Sequence, residues 1–479
     1  MTKINPIKFG TDGWRAIIAR EFTFDNVRIC AQGLAEYLKQ NGLAKQGLVI
    51  GYDTRFASED FAAACAEVTA ANGIKVFLSP KAIPTPEVSY GVTQKKAGAG
   101  IMITASHNPA AYNGFKIKSL DGASAPSELI EEVEKNIAGI WQNSDVKSLN
   151  LKDALENKTV EYFDFDPLYF KRMTEFVDIE RIKKSGLKIC VDSMYGAGSG
   201  YFKRLLAGGQ TQVIEINGER NPSFPGINPE PISINLQKLC SRIKAEKAAV
   251  GLATDGDSDR IGIVDENGVF VTQLEVYALL ALYLLETRGQ RGPIIKTVTA
   301  TSMLYKLGAL YQVPVIETPV GFKYVAPAML QNNAIIGGEE SGGYGFRGHV
   351  PERDAILAGL YFLDLMVSTG KTPSQLLAYL FSKVGTHLYN RRDFHFPEEQ
   401  RKSIIERVQH AKVDSIEGVK VAKVDTTDGF RFTLIDGSWL LIRFSGTEPL
   451  LRIYTETDTP QRVEKLLDFG QKLAGVKYI

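Results

Sequence analysis

Three aspartates alternate in the segment GLATDGDSDRIGIV, which lies between two apolar stretches. Because Asp255, Asp257 and Asp259 are spaced in this way, their carboxylates can converge on one cation, and a site made only of oxygen ligands suits Mg²⁺ or Ca²⁺. An EF-hand loop is the calcium alternative, but its sixth position requires glycine for the turn, and Arg260 stands there. A solvated acidic turn is the alternative without a function.

A second segment, ITASHNPAAYNGFKI, contains Ser106 with His107 beside it and Lys116 ten residues further on. A serine hydroxyl needs a base or a metal to become a nucleophile, and either neighbour could transfer protons. The Asn-Pro and Asn-Gly pairs also fit an ordinary turn. A serine combined with a cation site of three carboxylates indicates phosphoryl transfer, in which metal and positive charge stabilise the transferred oxygens.

The segment IRFSGTEPLLRIYTE could bind a phosphate. It offers an arginine fork, two hydroxyls and the backbone N–H groups of a tight loop, which together fit a phosphate dianion. Its candidate ligands are Arg443, Ser445, Gly446, Thr447 and Arg452. A β-hairpin with capping hydroxyls is the structural alternative.

The glycine-rich segment IIGGEESGGYGF could bind a sugar. The side chains of Glu339, Glu340 and Ser341 suit the hydroxyls of a sugar ring. A flexible glycine loop without a ligand is the alternative.

The elements that must position these segments follow a pattern that occurs three times, at GLVIGYDTRFAS, LKICVDSMYGAGSG and GPIIKTVTATSM. In each, an apolar strand ends in a loop of small or polar residues and a helix follows, which indicates α/β domains with mostly parallel strands. In the last hundred residues, apolar and polar side chains alternate as in β-strands, Asp-Gly turns separate these stretches, and an amphipathic helix follows. This pattern predicts a small α+β domain. The expected domains are residues 1–155, 156–268, 269–384 and 385–479.

Composition excludes several classes of protein. The 479 residues carry a net charge of +1, and nucleic-acid or membrane-surface proteins usually show a strong basic bias. The four cysteines are far apart and form no zinc-binding spacing, so a reduced, cytoplasmic setting is expected. The apolar run at residues 276–285 is too short to span a bilayer, and it predicts a buried helix.

The four motif segments, in this order, resemble the α-D-phosphohexomutase superfamily. Its motifs T-x-SHNP, DGDxDR, GExSG and R-x-SGTEP match residues 104–109, 255–260, 338–342 and 443–449. The resemblance covers the whole chain, including FGTDGWRA at residues 9–16. It implies an α/β fold of three similar mixed α/β domains and a C-terminal α+β domain, in the heart-shaped four-domain architecture of that superfamily.

The resemblance also implies a role for individual residues. Ser106 would carry the phosphoryl group and would share one Mg²⁺ with Asp255, Asp257 and Asp259. Lys116 and His107 would act as general base or acid, and Arg15 and Arg260 would steady the transferred phosphoryl group. The substrate contacts would be Glu339, Ser341 and Lys323 for the sugar, and Arg443, Ser445, Gly446 and Thr447 for the phosphate that does not react.

In such an enzyme Ser106 gives its phosphate to the free hydroxyl of a sugar phosphate and regains the other phosphate from the bisphosphate. Two segments resemble the glucomutase branch. The first is GEESGG, which has Gly343 where other branches have histidine, and the second is ETPVGFKYV, which contains Lys323. We therefore expect interconversion of glucose 1-phosphate and glucose 6-phosphate, with glucose 1,6-bisphosphate as activator. Phosphomannomutase activity, glucose 1,6-bisphosphate synthesis, a non-catalytic sugar-phosphate sensor and a metal-dependent phosphatase are the alternatives.

The expected partners are small sugar phosphates, without nucleic acid or membrane, and the expected assembly is a monomer or a dimer. The crowding of anions predicts a locally basic cleft that Arg15, Arg260, Lys116, Arg443 and Lys323 create. Because the distal phosphate site must accept either end of the sugar, a mobile fourth domain that closes over the substrate is expected.

Overall fold

The computed structural model describes residues 5–143, 145–445 and 450–477. The strands in these residues form four separate sheets, which follow one another along the chain.

The first sheet has six strands. They are β1 Trp14–Ile17, β2 Leu48–Tyr52, β3 Val76–Leu78, β4 Ala99–Ile103, β5 Tyr112–Lys118 and β6 Val160–Tyr162. Their spatial order is β1–β5–β4–β2–β3–β6, with β1 and β5 antiparallel to their neighbours and the others parallel. β4 is buried along its whole length because helices cover both faces of the sheet. The helices of this region are α1 Phe24–Gln40, α2 Ser58–Ala71, α3 Thr85–Lys95, α4 Ser127–Asn143 and α5 Leu151–Glu156.

The second and third sheets repeat this plan with fewer strands. The second contains β7 Lys188–Asp192, β8 Gln212–Ile216, β9 Val250–Thr254, β10 Ile261–Val264 and β11 Phe270–Val271. Its helices are α6 Asp166–Phe176, α7 Ile179–Lys184, α8 Tyr201–Leu205 and α9 Gln237–Glu246. The third contains β12 Ile294–Thr297, β13 Val315–Thr318, β14 Ile336–Gly338 and β15 Tyr344–Phe346. Its helices are α10 Gln273–Leu282, α11 Met303–Tyr311, α12 Phe322–Asn332, α13 Ala355–Thr369 and α14 Pro373–Val384.

The three sheets share one strand order: β5–β4–β2–β3, β10–β9–β7–β8 and β15–β14–β12–β13. In each, three parallel strands are followed by a strand that returns antiparallel beside the third. The loop that joins the third strand to this returning strand therefore has the same place in all three. The prediction of three similar mixed α/β domains is confirmed.

The fourth sheet is antiparallel and contains β16 Leu388–His395, β17 Ser415–Ile416, β18 Val419–Asp425, β19 Phe430–Leu434, β20 Trp439–Phe444 and β21 Leu450–Thr457. Its helices are α15 Arg401–His410 and α16 Pro460–Ala474, and α16 packs on β16, β20 and β21. This is the predicted C-terminal α+β domain.

Two sheets extend beyond the expected domain boundaries. β6 pairs with β3, so the first sheet continues past residue 155, and β11 pairs with β10, so the second continues past residue 268. The segments before these edge strands are polar and exposed, which suggests a domain boundary there. Polar composition does not show where the pairing of strands ends.

The apolar run at residues 276–285 is buried, as predicted, in α10 and the π-helical turn Tyr283–Thr287 that continues it. α10 and α13 share one apolar cluster with residues of the second and third sheets, so these two domains are joined through a common core. In the described part of the chain, no helix is both long and apolar enough to cross a membrane.

Candidate active site

Three loops with the same place in their sheets meet at one site. We call them the serine loop (between β4 and β5), the metal loop (between β9 and β10) and the sugar loop (between β14 and β15). The serine and metal loops touch so closely that a Cβ on Gly256 would lie 2.3 Å from the carbonyl oxygen of Ser106. The N–H of Ile261 donates to the carbonyl of Gly342 at 3.0 Å, which joins the metal and sugar loops.

Ser106 is 1% exposed and has a positive φ of 52° in the turn of the serine loop. Its Oγ donates to Asp255 Oδ2 at 2.7 Å and lies 3.3 Å from His107 Nδ1. A positive φ is costly for a residue other than glycine, so neighbouring contacts must stabilise this turn. The hydroxyl is therefore held against the metal loop of the next domain.

Arg55, in the loop after β2, supplies most of these contacts, and this role is not predicted from the sequence. Its guanidinium is fully buried, with Nε 3.1 Å from Asp53 Oδ2. The other two nitrogens donate to four carbonyls of the serine loop, those of Ser106, Asn108, Pro109 and Tyr112, at 2.6–3.0 Å. The sequence places Arg55 in a polar loop after an apolar strand. That pattern is common, so it does not indicate that the arginine supports a reactive loop.

The three aspartates of the metal loop are brought together as predicted. Each offers a ligand atom, and these atoms lie within 4.8 Å of one another in a fully buried group. Asp257 Oδ1 and Asp259 Oδ1 are buried without a hydrogen-bond partner. Burial, together with Asp259 and Asp257, raises the pKa of Asp255 well above its usual range. Unpartnered buried carboxylate oxygens of this kind fit a hard divalent cation.

Lys116 projects from β5 into the same group of carboxylates. Its Nζ lies 2.8 Å from Asp257 Oδ2, 3.2 Å from Asp259 Oδ2 and 2.8 Å from Asp12 Oδ2. Burial opposes its charge, but the three carboxylates outweigh burial and raise the pKa of Lys116 above its ordinary value. The lysine is therefore protonated in this state.

Asp12 and Arg353 connect the three loops, and the sequence predicts this role for neither residue. One nitrogen of Arg353 lies 2.8 Å from Asp12 Oδ2 and 2.7 Å from Asp259 Oδ2, and another lies 3.4 Å from Glu339 Oε2. Arg353 thus contacts an acidic residue from each of the first three domains. Asp12 lies in the segment FGTDGWRA and Arg353 lies seven residues after IIGGEESGGYGF, and nothing local distinguishes either residue.

His107, Arg15 and Arg260 surround Ser106. Burial, Arg260 and Arg15 lower the pKa of His107 well below its usual range, so its imidazole is neutral. Arg15 donates to Asn108 Oδ1 at 2.7 Å, which holds it beside the serine loop. Arg260 lies 3.8 Å from Asp259 Oδ1, and its Nε is buried without a hydrogen-bond partner.

The sugar loop brings Glu339 toward Arg353, as described above, and places Ser341 next to it in a half-buried position. Glu340 points elsewhere, because it accepts from Tyr389 Oη at 2.9 Å and lies 3.0 Å from a guanidinium nitrogen of Arg391. Both of these donors belong to β16, so Glu340 joins the sugar loop to the fourth domain. Lys323, at the start of α12, lines a small cavity of about 180 Å³ with residues 9–13 of the first domain.

The predicted phosphate loop follows β20. Arg443 Nε donates to Asp428 Oδ1 at 2.9 Å, and the N–H of Ser445 donates to the carbonyl of Leu450 at 2.8 Å. Asp428 also accepts from the N–H of Val320 in the third domain. Gly446 and Thr447, two further predicted ligands, lie outside the described residues. Arg452 Nε lies 3.6 Å from Asp393 Oδ2.

The cations of the cleft lie beside carboxylates, and the net basic charge of the cleft stays a prediction. Among the described residues that touch the metal or serine loop, Lys116, Arg15 and Arg353 contact Asp12, Arg55 contacts Asp53, and Arg260 contacts Glu230. Arg443 is likewise paired with Asp428. Because buried charges are costly without partners, the protein pairs its cations in this state and does not leave them free.

Models of known families match almost the whole chain. Residues 6–144, 167–268, 274–384 and 400–469 match, in this order, domains I, II, III and the C-terminal domain of the phosphoglucomutase/phosphomannomutase family. The chain belongs to this family. It is a phosphohexomutase, an isomerase of the α-D-phosphohexomutase superfamily.

Two curated relatives of this phosphohexomutase carry different names. A phosphoglucomutase/phosphomannomutase of Thermococcus kodakarensis is 32% identical over 471 residues, which cover 97% of this chain and 98% of the relative. A phosphoglucosamine mutase of Carboxydothermus hydrogenoformans is 32% identical over 468 residues, covering 96% and 97%. A solved structure from Thermus thermophilus, provisionally described as a phosphomannomutase, is 34% identical with a TM-score of 0.86 and covers 99% of this chain and 100% of its own.

Proposed function

We propose that this phosphohexomutase interconverts glucose 1-phosphate and glucose 6-phosphate, with Ser106 as the phosphoryl carrier and glucose 1,6-bisphosphate as the intermediate. The observation that carries the proposal is the hydrogen bond of Ser106 Oγ to Asp255, inside a buried group of aspartates with two unpartnered oxygens. A hydroxyl held against a cation site is the arrangement that phosphoryl transfer requires.

Asp255, Asp257 and Asp259 would hold Mg²⁺ together with an oxygen of phosphorylated Ser106. An oxygen-only set of ligands favours such a hard ion over zinc or copper. When bound, the ion would neutralise charge on the oxygens of the transferred phosphoryl group.

Two residues of the serine loop and β5 would manage the protons. When phosphorylated Ser106 gives up its phosphoryl group, neutral His107 would accept the proton of the attacking sugar hydroxyl, since its Nδ1 lies only 3.3 Å from Ser106 Oγ. Protonated Lys116 would supply a proton to the leaving Oγ of Ser106. The second half of the reaction is the reverse of the first, so Lys116 would take its proton back from Ser106 and His107 would return its proton to the leaving sugar oxygen.

Arginines would stabilise the phosphates. The unpartnered Nε of Arg260 and the guanidinium of Arg15, which Asn108 orients, would contact the transferred group. Arg443 and Ser445, with Gly446 and Thr447, would bind the phosphate that does not react.

The preference for glucose rests on the sugar loop, where Glu339 and Ser341 would contact the ring hydroxyls and Lys323 would assist from α12. A Cβ on Gly343 would lie 2.4 Å from Arg353 Cδ, so the side chain of Arg353 occupies the space that a larger residue would need. This supports a site without a histidine contact at position 343, which is the feature that resembles the glucomutase branch.

The test is a coupled assay of glucose 1-phosphate with Mg²⁺ and a trace of glucose 1,6-bisphosphate, run beside mannose 1-phosphate and glucosamine 1-phosphate. We expect kcat/KM to be highest for glucose 1-phosphate. A higher value for glucosamine 1-phosphate or mannose 1-phosphate would refute the proposed substrate. Slow mutase turnover, with glucose 1,6-bisphosphate accumulating once a phosphoryl donor such as fructose 1,6-bisphosphate is supplied, would instead identify a bisphosphate synthase. The cytoplasmic location and the monomeric or dimeric state stay predictions.

A further inference from the structure

Thr85, a residue of the first domain, is bonded to the metal loop of the second domain. It is the first residue of α3 and is fully buried. Its Oγ1 donates to Asp257 Oδ2 at 2.6 Å, and its backbone N–H donates to the carbonyl of Asp257 at 2.9 Å. Two hydrogen bonds to one residue, 172 positions away along the chain, hold Asp257 in both position and orientation.

The hydroxyl of Thr85 is directed at Asp257, and the N-cap residue of its helix is Pro84, which provides no side-chain cap. The backbone N–H of Thr85 is one of the donors that the first turn of a helix leaves without an intrahelical acceptor, and Asp257 satisfies it. The start of α3 is thus directed at the metal loop.

The two oxygens of Asp257 are in different situations. Oδ2 accepts from both Thr85 Oγ1 and Lys116 Nζ, at 2.6 and 2.8 Å, whereas Oδ1 is buried without a partner. Because both donors bind Oδ2, they prevent the carboxylate from rotating. Oδ1 is left available to bind a cation. Groups that hydrogen-bond a metal ligand typically change metal affinity about 10–100-fold.

We propose that Thr85 is a positioning residue of the cation site: it fixes the carboxylate of Asp257 so that Oδ1 is presented to the ion. This inference rests on the proposed function, because it assumes that the three aspartates bind a divalent cation. It adds a residue of the first domain to a site whose carboxylates all belong to the second.

The experiment measures Mn²⁺ binding to the full-length protein by the electron paramagnetic resonance signal of free Mn²⁺, with Mg²⁺ as competitor. Thr85→Val removes the hydroxyl and keeps the backbone N–H, whereas Thr85→Ser keeps both donors. Thr69→Val is the matched control, because Thr69 is a buried threonine of the same domain whose Oγ1 has no hydrogen-bond partner. We expect the Kd for Mn²⁺ to rise about tenfold in Thr85→Val and to change less than about twofold in the other two variants.

An unchanged Kd in folded Thr85→Val would overturn the inference, even if its stability were lower. Should Thr85→Val fail to fold, Thr85→Cys replaces it, since a thiol has the right size but donates only weakly. Asp257→Asn separates the two hypotheses. If the wild type binds Mn²⁺ no better than Asp257→Asn does, the proposed cation site itself is refuted. If Asp257→Asn loses Mn²⁺ binding and Thr85→Val keeps the affinity of the wild type, only the role of Thr85 is refuted.

Discussion

Replacing Arg55 by lysine should damage both the stability of the first domain and catalysis. The guanidinium donates five hydrogen bonds, one to Asp53 and four to carbonyls of the serine loop, in a site with no solvent exposure. A lysine ammonium has only three donors, so at least two of the five buried hydrogen bonds are lost. Lysine keeps the positive charge, and the variant therefore isolates the loss of the fork geometry.

The size of the effect follows from these contacts. A hydrogen bond that involves a charged group contributes about 1.5–3 kcal/mol, so the loss of two predicts a decrease of about 3–6 kcal/mol in the free energy of unfolding. For a domain of this size the unfolding midpoint should fall by roughly 5–20 °C. Because Ser106 is held in a positive-φ turn by the same arginine, kcat/KM should fall on the order of a hundredfold, as expected when a reacting group shifts by about 1 Å.

Differential scanning calorimetry and the coupled mutase assay on the full-length protein measure the two effects. Arg28→Lys is the control, since Arg28 lies in α1 of the same domain with one ion pair to Glu67 and a side chain that is 32% exposed. We expect this control to change stability by less than about 0.5 kcal/mol. If Arg55→Lys melts and turns over like Arg28→Lys, the argument that Arg55 supports the serine loop is wrong.

Ser106→Ala should lower kcat by three or more orders of magnitude without changing the unfolding midpoint by more than a few degrees, and full turnover in the coupled assay would rule out a phosphoserine mechanism. Removal of divalent cations by EDTA should abolish turnover, and added Mg²⁺ should restore it; activity that persists in EDTA would exclude the proposed role of the aspartates. Arg353→Lys should lower kcat/KM about 10–100-fold, because one ammonium cannot match the contacts with Asp12, Asp259 and Glu339; the same assay on Arg347→Lys, whose guanidinium bonds to Gln290 and backbone carbonyls, should show no such loss. Burial raises the pKa of Asp192 to about 6, although hydrogen bonds from Met194 and Asn217 oppose the shift. The native state therefore holds this proton more tightly than the unfolded state, and its stabilising effect is lost as pH rises from about 4 through 6. Relative to Asp192→Asn, the wild type should lose about 2 kcal/mol of unfolding free energy between pH 4 and pH 7, and parallel pH profiles in urea unfolding would contradict this.

The residues of each reactive loop could be predicted from sequence because they are neighbours along the chain. Asp255, Asp257 and Asp259 alternate within five residues, and a short loop between two buried strands must bring such side chains together. The helices and strands also followed from local apolar patterns, since each central strand is buried on both faces. The four-domain division therefore needed only local information and the resemblance of the motifs.

The pattern that occurs three times in the sequence lies at the first of the three parallel strands in each sheet, whereas the serine, metal and sugar loops follow the third of these parallel strands. The loop after β2 contains Arg55, which supports the serine loop and takes no part in the proposed chemistry. Sequence alone found the repetition, but the shared strand order showed that the three reactive loops are equivalent positions in three similar domains.

Tertiary structure alone decided which charged and polar residues support these loops. Arg353 and Asp12 are 341 positions apart, and Thr85 and Asp257 are 172 apart, yet each pair is in hydrogen-bond contact. A buried charge is stable only beside a partner, and the fold, rather than spacing along the chain, determines which partner is near. Sequence by itself therefore determined the reactive loops and their proposed chemistry, while the packing of three domains around one site decided how those loops are held.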